Sequence, residues 1–484
     1  MSVVSSSDLR SRLAAFVDRH QVPLACAVSV CLLLALHYGY AIREVLYDAA
    51  YYWEHARPDV FGQVKSHRGY LFPAMLMPLH LIADSLDVDP LRVLKLALAL
   101  AYGITLPILL PAVFVSAFGG KVCFWRRLIP VVLLMQLFPG LLLYPLSDLP
   151  ALLMLLAGLS CVMVAVRADG DKRRFLGLMF LGGLLITAAY NTRTIYLFGL
   201  IGMLALLSLR QGFVRQLRFP RLLALAAFSA GALVLSLPQL VLNKRTQGVS
   251  SLAVIAQVGD YGLFASQMAW GITLQRYETT APGAALVPGV YYLDPAGEEI
   301  FNSQISHRNP FLLRDYIDIV LRHPLDFLAL YTRHAINGLD LRDGIVYARK
   351  LSPLRDRTAV FNFCVLALAC WVLFAVRRHY PQGAAYRSAA PGWHYALVIL
   401  LLPVLAIIPG AIETRFFAPV HVLAYCVIAF NFDTTSLGTC LRKDSLTLAV
   451  TTSLVASIFF GVTQSTMASQ EYAWPRLYQF GPGR

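Results

Sequence analysis

The sequence predicts an all-α polytopic membrane protein: a bundle of about eleven transmembrane helices, with interfacial helices in the first outer loop and a small mixed outer cap. Three observations lead to that expectation. Hydrophobic residues make up 58% of the 484 positions and charged residues only 14%. Apolar runs repeatedly reach the roughly 20 residues that a helix needs to cross a bilayer. Lys and Arg collect between alternate runs, the bias that sets orientation in a membrane.

Residues 8–20 are amphipathic and suit the inner membrane surface. The first apolar run, 22–42, is too long for a signal peptide and lacks a small-residue cleavage pattern behind it, so it reads as a retained helix. Further spans are expected near 91–117, 128–146, 149–166, 175–191, 195–209, 222–242, 359–376, 393–411, 416–431 and 445–463. Between the first two lies an outer segment, 43–90. Its apolar middle, Gly69 to Leu86, is interrupted by Pro73, Pro78 and His80, and a run so short and broken suits the interface better than a crossing. The segment 243–358 is of mixed composition, with a turn signal at Tyr291-Tyr292-Leu293-Asp294-Pro295 and helical periodicity over 311–337; it is expected to cap the outer face. Three parts result: an N-terminal membrane module over 1–242, the cap over 243–358, and C-terminal membrane helices over 359–484.

The net charge of +14 would suggest nucleic acid in a soluble protein, but loop charge accounts for it here. With the N-terminus cytoplasmic, the inner segments hold nineteen Lys and Arg, whereas the short outer loops at Asp148, Arg193 and Arg415 hold none, one and one. Six of the eight cysteines fall in apolar runs and the other two, Cys123 and Cys440, in inner loops. No disulfide framework and no metal motif follows from their spacing.

Ionisable side chains are nearly absent from the spans, His37, His394 and His421 near span ends being the exceptions. A transporter coupled to ions places such groups near the bilayer midplane. Here they stand at the outer ends instead: Asp48, Tyr52, Glu54 and His55 after the first span, His67-Arg68-Gly69 before the interfacial helix, then Asp148, Arg193 and Glu413-Thr414-Arg415 in short turns. Acids and arginines meeting at one depth suit a phosphorylated lipid head group and a nucleophile that loses a proton.

An acid just after the first span, the stretch His67-Arg68-Gly69-Tyr70-Leu71-Phe72-Pro73, the turn Ser147-Asp148-Leu149-Pro150 and the stretch Arg415-Phe416-Phe417-Ala418-Pro419 together resemble the GT-C superfamily. These are integral membrane glycosyltransferases that use polyprenyl-phosphate sugars, such as the protein O-mannosyltransferases and the lipid A aminoarabinose transferases. The resemblance covers roughly 40–200 and 410–431. It implies a GT-C-like bundle in a bacterial inner membrane, a polyprenyl-phosphate-linked sugar as donor, a hydroxyl acceptor in the periplasm, Asp48 as catalytic acid of the first outer loop and Asp148 as that of the second. Arg68, Arg193 and Arg415 match only loosely, as phosphate partners. Many members carry a second acid beside the first; Ala49 and Ala50 stand there in this chain, so a divalent metal would have only Asp48 and Asp148 to hold it.

Each residue also has a plainer reading. Asp48 and Asp148 suit helix N-caps. A carboxylate among aromatic neighbours, as Asp48 is, is expected to gain proton affinity by burial. His55 and His67 suit interface positions as well as an acceptor contact, a proton relay or a metal ligand. The arginines can snorkel to lipid phosphates, and Glu413 can pair with Arg415. Two other functions stay open: a ligase-like transfer of a whole glycan, with basic residues such as His307, Arg308, Arg333 and His334 at work in the cap, and a lipid-linked sugar flippase.

Overall fold

The structure, a computed structural model, describes residues 17–62, 68–167, 171–209, 214–215, 217, 219–258, 261–279, 289–305, 311–347, 352–379 and 392–471. The chain opens with α1 (Gln21–Tyr40), α2 (Tyr47–His55) and α3 (Leu71–Leu86). The first module continues through α4 (Pro90–Phe118), α5 (Phe124–Leu137), the short α6 (Pro139–Leu143), α7 (Asp148–Val166), α8 (Lys172–Thr192), α9 (Leu197–Leu209) and α10 (Arg221–Gln247). The cap comprises β1 (Gln257–Val258), β2 (Tyr261–Gly262), α11 (Leu263–Thr273), β3 (Leu274–Glu278), β4 (Val290–Leu293), α12 (Pro295–Ile300), α13 (Leu313–Arg322) and α14 (Pro324–Leu339). Then follow α15 (Arg355–His379), α16 (Trp393–Ile407), α17 (Ala418–Asn431), α18 (Thr434–Lys443), α19 (Ser445–Ala468) and β5 (Gln470–Glu471).

Among the described residues, eight helices are long and apolar enough to cross a membrane: α1, α4, α7, α8, α10, α15, α17 with its leading turn, and α19. Three shorter apolar helices, α3, α9 with its leading turn and α16, accompany them. The all-α polytopic expectation therefore holds at that level. The expected span 128–146 is not one helix. α5 stops at Leu137, Phe138 leaves helical geometry (φ −128°, ψ 50°) and Pro139 opens the separate α6, because proline cannot supply the N–H that a continuing helix needs.

One large apolar cluster runs through the membrane helices. Within it α7, α8 and α10 are held close by glycine. A Cβ added at Gly183 would lie 1.9 Å from the Phe228 carbonyl oxygen, and one at Gly231 would lie 2.0 Å from that of Phe180. Small residues let membrane helices approach until their backbones touch. Gly231→Ala must push α8 and α10 apart, a packing defect of about 1–3 kcal/mol. A melting temperature in detergent equal to that of wild type would show that the helices are not so close.

In the cap, β3, β4 and β5 form an antiparallel sheet in that order. A chain of buried ion pairs fastens it to the bundle. Arg276 contacts Glu278 (2.6 Å) and Asp340 (3.3 Å), Arg342 contacts Asp340 (2.6 Å), and Arg355 at the start of α15 contacts Glu278 (2.7 Å). The start of α15 thus marks the cap end of the bundle, and its 25 residues carry His379 nearly 40 Å away at about 1.5 Å per residue.

Candidate functional site

Asp48 lies in the first turn of α2 and Asp148 is the first residue of α7, where a negative charge is favoured by the helix dipole. Neither caps its helix. Asp89, Asp171, Asp294 and Asp433 do, each accepting a backbone N–H, whereas α2 and α7 have no side-chain cap bond. The Asp48 carboxylate is instead gripped from two sides. Arg68 Nη2 donates to Oδ1 at 2.6 Å and Arg415 Nη2 to Oδ2 at 2.7 Å.

The two arginines arrive from different directions. Arg68 precedes Gly69, where a Cβ would lie 1.8 Å from the Asn191 carbonyl oxygen, so glycine alone lets this stretch pass so near the end of α8. Arg68 also donates to the Tyr52 hydroxyl (2.7 Å), which in turn meets Ser147 Oγ (2.8 Å). Tyr52 is thereby a buried link between the first outer segment and the turn that carries Asp148. Arg415 sits in a short 3-10 turn, Thr414–Phe417. Its Nε donates to Glu413 (2.7 Å), and its Nη1 lies 4.0 Å from Asp148. Arg193, in extended conformation between α8 and the 3-10 turn Thr194–Tyr196, places Nη1 3.0 Å from Asp148 Oδ2. Arg193 and Arg415 both lie against the Phe416 ring, at 4.7 and 5.4 Å, a cation–π spacer between two like charges.

Three acids and three arginines therefore converge from five stretches of chain. Exposure separates the acids: the side chain of Asp48 retains 28%, that of Glu413 7% and that of Asp148 3%. Burial alone would raise the Asp48 carboxyl, but the guanidiniums of Arg68 and Arg415 outweigh it and hold it well below the usual carboxylate range. This reverses the expected gain in proton affinity; sequence places the aromatics nearby but not the two arginines. Glu413 goes the other way, because burial outweighs its single partner Arg415. A carboxyl held below its unfolded value of roughly 3.9 contributes stability that is complete above that value and lost as pH falls through the folded one. The stability advantage of wild type over Asp48→Asn should accordingly stay constant from about pH 8 to about pH 5 and shrink only at more acidic pH. An advantage that declines already near neutrality would mean that Asp48 is not so paired.

Around Asp148 the polar accounting is incomplete. Both its carboxylate oxygens and Arg415 Nη1 are buried without a hydrogen bond among the described residues, Oδ2 having only its ion pairs with Arg193 and Arg415, and Asp148 and Arg415 line a small cavity with Arg193, Tyr196 and Phe416. Buried polar atoms are normally satisfied, so these point to something that completes them. As a donor set for a metal the arrangement is poor: Arg415 stands between Asp48 and Asp148, and three guanidiniums suit an anion.

The other expected residues are placed as follows. His55 Nδ1 meets its own helix at the Tyr51 carbonyl (2.6 Å), and its ring packs on Tyr51; it lines a neighbouring cleft with Arg68, Gly69, Tyr70, Gln239 and Asn243 rather than joining the acids. His67 lies outside the described residues, as do His307 and Arg308. Arg333 is paired with Asp294 (2.5 Å), and His334, wholly buried, lies between the carbonyls of Leu274 and Ile408 at 2.6 Å each. Both have structural partners within the cap.

Sequence reasoning found the aromatics next to Asp48 in the chain but not those that reach it from elsewhere. Tyr47, at a left-handed φ of 48°, packs on Tyr347 (5.7 Å), which packs on Tyr144 (4.9 Å). Val346, beside Tyr347, has φ 71°. Such geometry is costly for a β-branched residue and concentrates where the surroundings force it. Tyr277 of β3 packs on Phe416 (6.2 Å), and burial, then the charge of Glu413, lifts its phenol well above the ordinary value. Tyr277 and Tyr347 come from the cap, distant in sequence from Asp48. The alternation Arg276, Glu278 along β3 was the one visible sign that its faces differ.

No family model, no curated protein and no solved structure matches the chain.

Proposed function

We propose that this protein is an inverting glycosyltransferase that moves a sugar from a polyprenyl-phosphate carrier to a hydroxyl acceptor. It would be a GT-C-like enzyme with eleven crossings and a cytoplasmic N-terminus, working at the outer face of a bacterial inner membrane. The observation that carries this reading is the meeting of Asp48, Asp148 and Glu413 with Arg68, Arg193 and Arg415 at one end of an apolar bundle. That end offers a lipid-borne phosphate both a hydrocarbon surface and guanidinium forks.

The balance of charge suggests an order of events. With three acids facing three arginines, the described residues of the site offer no cation beyond those pairs, so a donor phosphate gains guanidinium bonds there by displacing a carboxylate. Asp48, the most exposed of the three acids, yields most readily. As Arg68 and Arg415 turn to the phosphate, Asp48 loses the partners that depress its proton affinity and becomes a competent base. It then takes the proton of the acceptor hydroxyl while that oxygen bonds to the anomeric carbon. The bond from that carbon to the phosphate oxygen breaks, its electron pair leaves with the phosphate, and the arginines hold the added charge. Asp148, fixed by Arg193, orients the acceptor.

Purified protein offered a panel of polyprenyl-phosphate sugars should consume one of them, releasing polyprenyl phosphate by mass spectrometry in an Asp48-dependent manner. Movement of labelled carrier lipid across a membrane with its covalent structure intact would instead make the protein a flippase.

A further inference from the structure

At the end of the bundle away from these arginines, three helices bring together side chains that no spacing rule connects. His379 ends α15, Cys440 lies on α18, and Asp444 stands between α18 and α19. One ligand atom from each lies within 4.8 Å of both others, which no other group of His, Cys, Asp and Glu achieves among the described residues. His379 Nε2 is 2.5 Å from Asp444 Oδ2. Cys440 is fully buried in an apolar wall with Ala375, Leu448 and Phe374, so its sulfur faces the polar pair from a dry side.

We propose that His379, Cys440 and Asp444 bind a zinc ion that stitches the ends of α15, α18 and α19 together. Imidazole, thiolate and carboxylate are the ligand types zinc takes, and three protein ligands leave one position of a tetrahedron for water. Thiolate and carboxylate together neutralise the ion. Arg378 Nη2, 3.3 Å from the other Asp444 oxygen, holds the carboxylate from outside, as second-shell partners do. Tetrahedral bonds of about 2.0–2.3 Å put ligand atoms about 3.3–3.6 Å apart. The His–Asp pair must open and the sulfur close in by about 1 Å each, within the reach of side-chain rotation. Binding releases the thiol proton.

The site is independent of the transferase reading, and metal binding rather than transfer is its readout. Full-length protein in detergent, stripped with chelator and dialysed against Zn2+, should retain one ion per chain by elemental analysis. The Co2+ form should show a thiolate-to-cobalt charge-transfer band. Cys440→Ser and His379→Gln should lower zinc retention at least tenfold, whereas Cys426→Ser, in the bundle interior, should retain it. Wild type that holds no more zinc than Cys440→Ser, or a cobalt form without the thiolate band, overturns the proposal. Should the variants fail to fold, the cobalt spectrum of wild type alone decides.

Discussion

Asp48→Asn is expected to bind a polyprenyl-phosphate sugar at least as tightly as wild type and to transfer almost none of it. The two halves have separate causes. The amide keeps the shape of the carboxylate but cannot take a proton, which removes a contribution of about 10²–10⁴-fold in rate. It also removes the negative charge that competes with the donor for Arg68 and Arg415. Donor affinity by ligand-induced thermal shift should therefore rise, and a tenfold gain corresponds to about 1.4 kcal/mol. An Asn variant that transfers normally removes Asp48 as base; one that is inactive but binds donor more weakly leaves the base and refutes the displacement of its carboxylate.

Arg415→Ala should be the most damaging substitution at the site. Arg415 touches Asp48 and Glu413 and approaches Asp148, and its loss strands buried carboxylates. Removing one partner of a buried ion pair costs about 3–5 kcal/mol, and the loss of a transition-state donor costs a further 10²–10³-fold in rate. Arg415→Lys restores charge without the planar fork and should recover stability more than activity. Adding Glu413→Gln to Arg415→Ala should restore part of the melting temperature, because it neutralises the acid left behind. A double variant no more stable than Arg415→Ala would place the damage elsewhere.

Helix placement was legible in the chain because apolar runs of membrane length are a property of consecutive residues. The break at Phe138-Pro139 was legible in principle too, since Pro139-Gly140 lies inside the run expected as one span. The acids and arginines of the site were found because charge at span ends is conspicuous in so apolar a sequence. Their pairing was not. Arg415 reaches Asp48 across 367 positions, and nothing in the local order of residues says which guanidinium faces which carboxylate. For that reason burial, visible as aromatic neighbours, suggested a raised proton affinity for Asp48, while the arginines that reverse it were hidden by sequence distance. The cap tyrosines and the His379–Cys440–Asp444 group escaped for the same reason.

The outermost sheet has an implication for biosynthesis. Its middle strand, β4, waits for β5, and β5 emerges only after α19 has been made. Pairing between segments so far apart in sequence is slow to form. During translation the cap must stand with one strand edge bare until the last long helix has inserted. A ribosome stalled before that helix would hold a nearly finished bundle with an adhesive flank.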